Sequence, residues 1–306
     1  MTATSGGSGN ADPLIELRDV TKVFGGGGML SQQQTVALKN FSYTVAAQPP
    51  TITSVVGESG SGKSTMANLM LGLEKPTEGA VLYKGTDLTR ASGQERRTFR
   101  REVQAIFQDP YGVYNSFYKV DHVLTMPIAK FKLASSKAEE AELIDRALRS
   151  VGLKPEETLG RYPHQLSGGQ RQRTMIARTL LLHPKLIVAD EPVSMVDASL
   201  RVTILANLLQ LKEQFGISLI YITHDLATAY QISDHIIVLH RGQIVEQGDP
   251  EQVVKQPQHD YTKLLIGSIP IADPKRSWGE NLEGSIQHSD DPLHQERDRV
   301  SSLGGR

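Results

Sequence analysis

Residues Gly57-Glu-Ser-Gly-Ser-Gly-Lys-Ser-Thr65 place glycines, a lysine and hydroxyls at the spacing Gly, four residues, Gly-Lys-Ser/Thr. Glycines leave successive backbone N–H groups free to turn inward around phosphate oxygens, and a helix starting there adds the positive end of its dipole. Such a cradle would use Gly57, Glu58, Ser59, Gly60, Ser61, Gly62, Lys63, Ser64 and Thr65 together. Lys63 would reach the β- and γ-phosphates of a nucleotide, and the Ser64 hydroxyl would ligate Mg²⁺. The bland alternative is a Gly-rich turn with an incidental lysine. The β-branched run Thr51–Val56 before it and the helix-favouring run Ser64–Gly72 after it argue for the cradle.

Two further runs end in groups suited to the γ-phosphate. Leu186-Ile-Val-Ala-Asp190-Glu191 is an apolar strand ending in two acids, where ligands sit in parallel sheets. Asp190 would hold Mg²⁺, directly or through water, and Glu191 would accept a proton from the attacking water. Capping of the turn at Pro192 is the plain alternative for this pair. Ser218-Leu-Ile-Tyr-Ile-Thr-His224 repeats the pattern with an imidazole at the strand end. His224 would contact the γ-phosphate and position the water and Glu191. Gln108, between the strand-like run Glu102–Phe107 and the turn signal Asp109-Pro110, has an amide able to meet Mg²⁺ or the water. Far along the chain, Leu166-Ser-Gly-Gly-Gln170 precedes a long helix and forms a second anion site, with a free dipole end and close backbone approach.

The elements that must carry these groups follow from pattern. Alternating β-rich runs Leu14–Phe24 and Thr35–Val45 predict an antiparallel pair joined by a Gly- and Gln-rich loop. From about 87 to 163 charged, helix-favouring segments dominate (94–102, 120–131, 136–151), which predicts an inserted helical subdomain of about 87–165. Beyond it, helix 168–182, strand 186–190, helix 198–215, strand 218–223, helix 226–231 and strand 235–239 predict a mostly parallel sheet covered on both faces. The fold class is therefore α/β, with an antiparallel β subdomain and an α-helical insertion. Residues 1–12 read as a flexible tail, 13–270 as the main domain and 271–306 as a polar tail with little to bury.

Composition narrows the classes. Of 306 residues, 39% are hydrophobic and 22% charged, and the formal net charge is -1. That balance asks for neither nucleic acid nor an anionic membrane as the main partner. Cysteine is absent, which excludes disulfides, cysteine-ligated zinc and iron–sulfur clusters. No apolar run approaches the roughly 18 residues of a membrane helix. The absence of cysteine fits a reducing compartment, so a cytoplasmic chain is expected, and the N-terminus lacks the basic start and apolar core of a secretion signal.

With these motifs in view, the chain resembles an ABC-type nucleotide-binding subunit over roughly Leu14 to Pro270. In that family Leu166–Gln170 is the signature, and two subunits pack head to tail, each phosphate loop holding ATP against the other's signature. The resemblance implies an ATPase needing Mg²⁺, with Ser64, Gln108 and Asp190 at the metal and Lys63, Gln108, Glu191 and His224 at the reacting phosphate. It also implies ATP contacts from the partner's Ser167, Gly168, Gly169 and Gln170, a D-loop Ser194-Met-Val-Asp197 with Asp197 at the interface, and Phe24 stacked on adenine. The plain alternative for Phe24 is a core residue.

Closer likeness points to importers of oligopeptides, dipeptides, nickel and certain oligosaccharides: Val56–Ser64 and Pro257-Gln-His-Asp-Tyr-Thr-Lys-Leu-Leu265 resemble theirs. That likeness implies a second ATPase chain, related or identical, two integral-membrane permease subunits and an extracytoplasmic solute-binding protein, on the cytoplasmic face of the membrane. The run Asp109–Tyr118 is equally similar to the oligosaccharide branch. Ala46-Ala-Gln-Pro-Pro50 departs from the usual Gly-Glu turn, and the cysteines some members carry near the C-terminus are missing. A soluble ABC ATPase is the rival; such chains carry two cassettes or a long coiled coil, and neither pattern occurs here. A GTPase switch would need Asn-Lys-x-Asp, a tetrapeptide this sequence lacks.

Overall fold

The computed structural model describes residues 12–25, 34–107, 114–194, 196 and 198–268. Two sheets organise them. Strands β1 (Pro13–Phe24) and β2 (Thr35–Ala46) pair antiparallel, from Pro13 opposite Ala46 to Phe24 opposite Thr35. Strands β4 (Glu78–Tyr83) and β5 (Thr86–Asp87) complete this sheet in the order β2-β1-β4-β5.

The second sheet contains β3 (Ile52–Val56), β6 (Val103–Ile106), β7 (Leu186–Asp190), β8 (Ser218–Thr223), β9 (His235–His240) and β10 (Gln243–Gly248). Its order is β10-β9-β3-β8-β7-β6, parallel throughout except for the antiparallel edge strand β10. Every residue of β3 and β8 is buried, as strands covered on both faces require, which is why they read as continuous apolar runs.

The period of two divides β7 and β8 between two cores. Ile187, Ala189, Leu219 and Tyr221 face one cluster, with Leu124 and Ile128 of α3 (Asp121–Phe131), Ile144 and Leu148 of α4 (Lys137–Ser150), and Met175 and Ile176 of α6 (Gly168–Leu180). Leu186, Val188, Ile220 and Ile222 face the other, with Met66, Leu69 and Met70 of α1 (Lys63–Met70) and Leu14, Ile15 and Leu17 of β1. The phosphate-loop helix is thereby wedged between the two sheets. A short helix α5 (Pro155–Thr158) precedes α6, while α7 (Ala198–Phe215), α8 (Leu226–Ile232), α9 (Pro250–Lys255) and α10 (Asp260–Gly267) follow β7, β8 and β10.

The helical part starts later than residue 87. Helix α2 (Gly93–Glu102) sends Phe99 into the β1 and α1 core, edge-on to Tyr83 with ring centroids 5.3 Å apart, and β6 pairs in parallel with β7. One buried phenylalanine anchors a helix whose other positions are mostly charged, so the sequence pattern hid where it belongs. Strands β4 and β5, the edge strand β10, and helices α9 and α10 were not expected from pattern either.

Candidate active site

The phosphate loop leaves β3 and enters α1 through three glycines with positive φ: Gly57 at 154°, Gly60 at 83° and Gly62 at 108°. At two of them space is as restrictive as the dihedral. A Cβ on Gly57 would lie 2.2 Å from Leu239 O, and one on Gly62 would lie 2.4 Å from Ala37 O. The loop is thus seated against β9 and β2. It is tied there by Gly242 N, which donates to Ser61 O at 2.9 Å. Ser61 is buried, and its Oγ has no hydrogen-bond partner among the described residues, as suits a group reserved for a bound oxyanion. Ser59, Gly60 and Ser64 are exposed, and Thr65 is half-buried on the first turn of α1.

Lys63 is buried, and its Nζ donates to the carbonyls of Gly57 and Glu58, each at 2.7 Å. Burial pulls its pKa down, against the charges of Glu191, Asp190 and Glu58. Asp190 ends β7 as expected. Burial pushes its carboxyl up, a hydrogen bond with Ser64 works against that, the charge of Glu191 adds to the rise and Lys63 opposes it. A hydroxyl and a carboxylate meeting at the mouth of the loop are hard oxygen donors of the kind Mg²⁺ takes, so the set fits that ion.

Glu191 stands with φ at 47°, a left-handed conformation that costs a non-glycine residue about 1 kcal/mol. Its N–H donates to Ile222 O on the neighbouring strand at 2.9 Å, and its carbonyl accepts from Ser194 N at 3.2 Å and Ser194 Oγ at 2.9 Å. So held, Glu191 Oε1 lies 3.3 Å from His224 Nδ1. His224 follows β8 directly and precedes Asp225, whose carboxylate caps α8 by accepting from Ala227 N and Thr228 N. A carboxylate beside an imidazole at the end of the parallel sheet can take a proton and orient the group that gives it.

The structure therefore brings Lys63, Ser64, Asp190, Glu191 and His224 to one end of the parallel sheet. Phe24 is not core: it ends β1, 40% exposed, with Lys22 Nζ 4.7 Å over its ring. The segment Ser167–Gln170 begins α6 as a capping box, Gln170 N donating to Ser167 Oγ at 3.2 Å and Ser167 N to Gln170 Oε1 at 2.9 Å. Ser167 is exposed, and a Cβ on Gly168 would meet nothing within 4 Å. The first turn of this helix is therefore open to solvent at Ser167 and Gly168. Gln108 and Asp197 lie outside the described residues.

Sequence reasoning passed over four contacts. Tyr261 of α10 accepts from Glu58 N at 2.8 Å, His240 Nε2 lies 3.6 Å from Glu58 Oε1, and the two rings are 3.9 Å apart. Tyr114 donates to Arg171 O at 3.0 Å and so ties its own position to α6. The segment 257–265 carried a signal of kinship in the sequence, but nothing there placed Tyr261 against a loop 203 residues away.

Comparison with known proteins agrees with this geometry. Residues 38–194 match the family model for ABC transporters, and residues 245–293 match that for the C-terminal region of oligopeptide/dipeptide transporters. A probable peptide ABC transporter ATP-binding protein of Sinorhizobium fredii is 40% identical over 280 residues, covering 90% of this chain and 78% of that protein. The oligopeptide transport ATP-binding protein OppF of Escherichia coli is 41% identical over 235 residues, covering 76% and 70%. Among solved structures, a dimeric ATP-binding cassette in a post-hydrolysis state with ADP and Pi superposes with a TM-score of 0.65 at 30% identity, over 77% of this chain and 98% of that one. The cassette cbiO1 of Clostridium perfringens, part of the transporter complex cbiONQ, gives 0.68 at 25%, over 80% and 92%. With these matches beside the glycine loop, the paired acids and the exposed start of α6, the chain belongs to the ABC transporter family as an ATP-binding, ATP-hydrolysing subunit.

Proposed function

We propose that this subunit powers an importer of oligopeptides. The observation that carries the substrate class is the match of residues 245–293 to the C-terminal region of oligopeptide/dipeptide transporters, supported by relatives whose names specify peptides. No helix among the described residues is long and apolar enough to cross a membrane, so the path for solute lies in other chains, two permease subunits fed by an extracytoplasmic binding protein. The subunit then sits on the cytoplasmic face of the membrane.

The chemistry follows from the site. Backbone N–H groups of the loop beyond Glu58, through residue 65, and Lys63 hold the triphosphate, with Phe24 at the base. Ser64, Asp190 and Gln108 would hold Mg²⁺, which when bound neutralises phosphate charge. Glu191 takes the proton of the attacking water, and His224 and Gln108 orient it. The exposed start of α6 at Ser167–Gln170, with Asp197, serves the nucleotide of a second ATPase subunit packed head to tail, a copy or a related chain. ATP drives this closure through its higher affinity for the closed pair, and hydrolysis releases it.

The test is to purify the chain with the proteins that accompany it from its native membrane and to assay ATP hydrolysis with defined solutes and their binding protein. Two permease chains and stimulation by oligopeptides are expected. Stimulation by oligosaccharides alone would move the substrate class, and recovery without any membrane protein would overturn the transporter assignment.

A further inference from the structure

The Gly57–Glu58 peptide unit is held from both sides. Its N–H donates to the Tyr261 hydroxyl at 2.8 Å, and its C=O accepts from Lys63 Nζ at 2.7 Å. A trans peptide is planar with N–H and C=O pointing in opposite directions, so a partner fixed on one side sets the direction of the other. Tyr261 is such a fixed partner. It is buried, its ring lies against His240, and its helix is docked by Glu246, which accepts from Gln258 N at 2.8 Å and His259 N at 3.0 Å. His259 Nδ1 in turn accepts from Tyr261 N at 3.1 Å. Only an oxygen at the tip of the ring completes this chain of contacts; a phenylalanine would fill the same space and leave the amide without a partner.

We propose that Tyr261 is a positioning residue for nucleotide binding: by holding the Gly57–Glu58 peptide plane it presets the carbonyl that aims Lys63, and so makes the C-terminal region part of the ATP site. The inference rests on the phosphate loop being the ATP site and deepens that assignment. Lys63 held at the loop mouth before nucleotide arrives has less freedom to lose on meeting the β- and γ-phosphates. Without the tyrosine oxygen the peptide is free to tilt, and the lysine loses one of its two carbonyl anchors.

Because the effect runs through Lys63, it depends on the phosphates that Lys63 meets. In the full-length chain, Tyr261→Phe should weaken ATP and ADP binding about three- to tenfold, the worth of one net hydrogen bond, while AMP binding stays unchanged. The KM for ATP should rise by the same factor with kcat within about twofold. Calorimetric titration and competition give the three affinities. Since the comparison is among nucleotides within one variant, a general loss of stability weakens all three alike and does not imitate the pattern. Equal weakening for AMP, ADP and ATP, or no change in any, would overturn the proposal. Absence of ATP binding by the unsubstituted chain would instead overturn the ATP-site assignment on which it rests.

Discussion

Glu191 shows how much of the site depends on one backbone angle. With φ at 47°, the two adjacent acids meet different partners, Asp190 beside Ser64 and Glu191 beside His224. Glu191→Gln keeps size and hydrogen bonding while removing the base. Phosphate release should fall at least about a hundredfold with ATP affinity within about twofold, and rapid turnover in this variant would refute its role. Two glycines make a second comparison. Gly62→Ala meets Ala37 O at 2.4 Å and should lose more than about 3 kcal/mol, whereas Gly60→Ala meets nothing and should lose about 1 kcal/mol from strain alone. Urea midpoints of the two variants give the contrast. The sequence identified these residues by type and spacing. It carried no information on which glycine is walled in, because the walls are Leu239 and Ala37, from β9 and β2.

Between elements, Glu102 at the end of α2 gathers groups from both sheets. Its carboxylate accepts from Tyr83 at 2.6 Å and pairs with Lys84 at 2.6 Å and Lys185 at 3.6 Å. Burial works to raise its pKa, but the hydrogen bonds with Lys84 and Tyr83, with the charges of Lys84 and Lys185, hold it below the ordinary value of 4.5. A depressed carboxyl contributes stability above its unfolded pKa and loses it as the pH falls through the folded one. Glu102→Gln should therefore lower the melting temperature at pH 7, with the difference shrinking from about pH 5 downward; a difference that stays constant to pH 3 would refute the assignment. The start of α2 is a capping box, Glu95 N donating to Ser92 Oγ and Ser92 N to Glu95 Oε2, and Ser92→Ala should cost about 1 kcal/mol by thermal unfolding. That box is legible as Ser-x-x-Glu. The docking of the helix through Phe99 alone is not, since one apolar residue among charges sets up no periodicity.

For the whole molecule, the head-to-tail arrangement proposed above would make the exposed start of α6 and the phosphate loop two halves of one site, closed only by a second chain. Glu191→Gln with ATP, alone or mixed with the related ATPase chain, should run at twice the monomer mass on size exclusion, and with ADP at the monomer mass. A monomer under every condition would refute the head-to-tail arrangement. The aromatics Phe117 and Tyr118 are exposed.

Sequence alone determined which residue types could do chemistry and the succession of the central elements along the chain. The phosphate-loop spacing, strands β3, β7 and β8, and the helices from 198 and 226 all follow from local signals: glycine spacing, continuous apolar runs and helical periodicity. Such signals are written within a few residues, so a single chain displays them. Only the tertiary structure decided what those residues meet. Parallel pairing sets Asp190 opposite Ile222, which carries Glu191 to His224. The fold also returns α10 to the phosphate loop, and it moves α2 and β6 out of the helical insertion into the main body. Contacts between segments far apart depend on strand order and on which face each side chain takes, and both are properties of the assembled sheets rather than of any one stretch of chain.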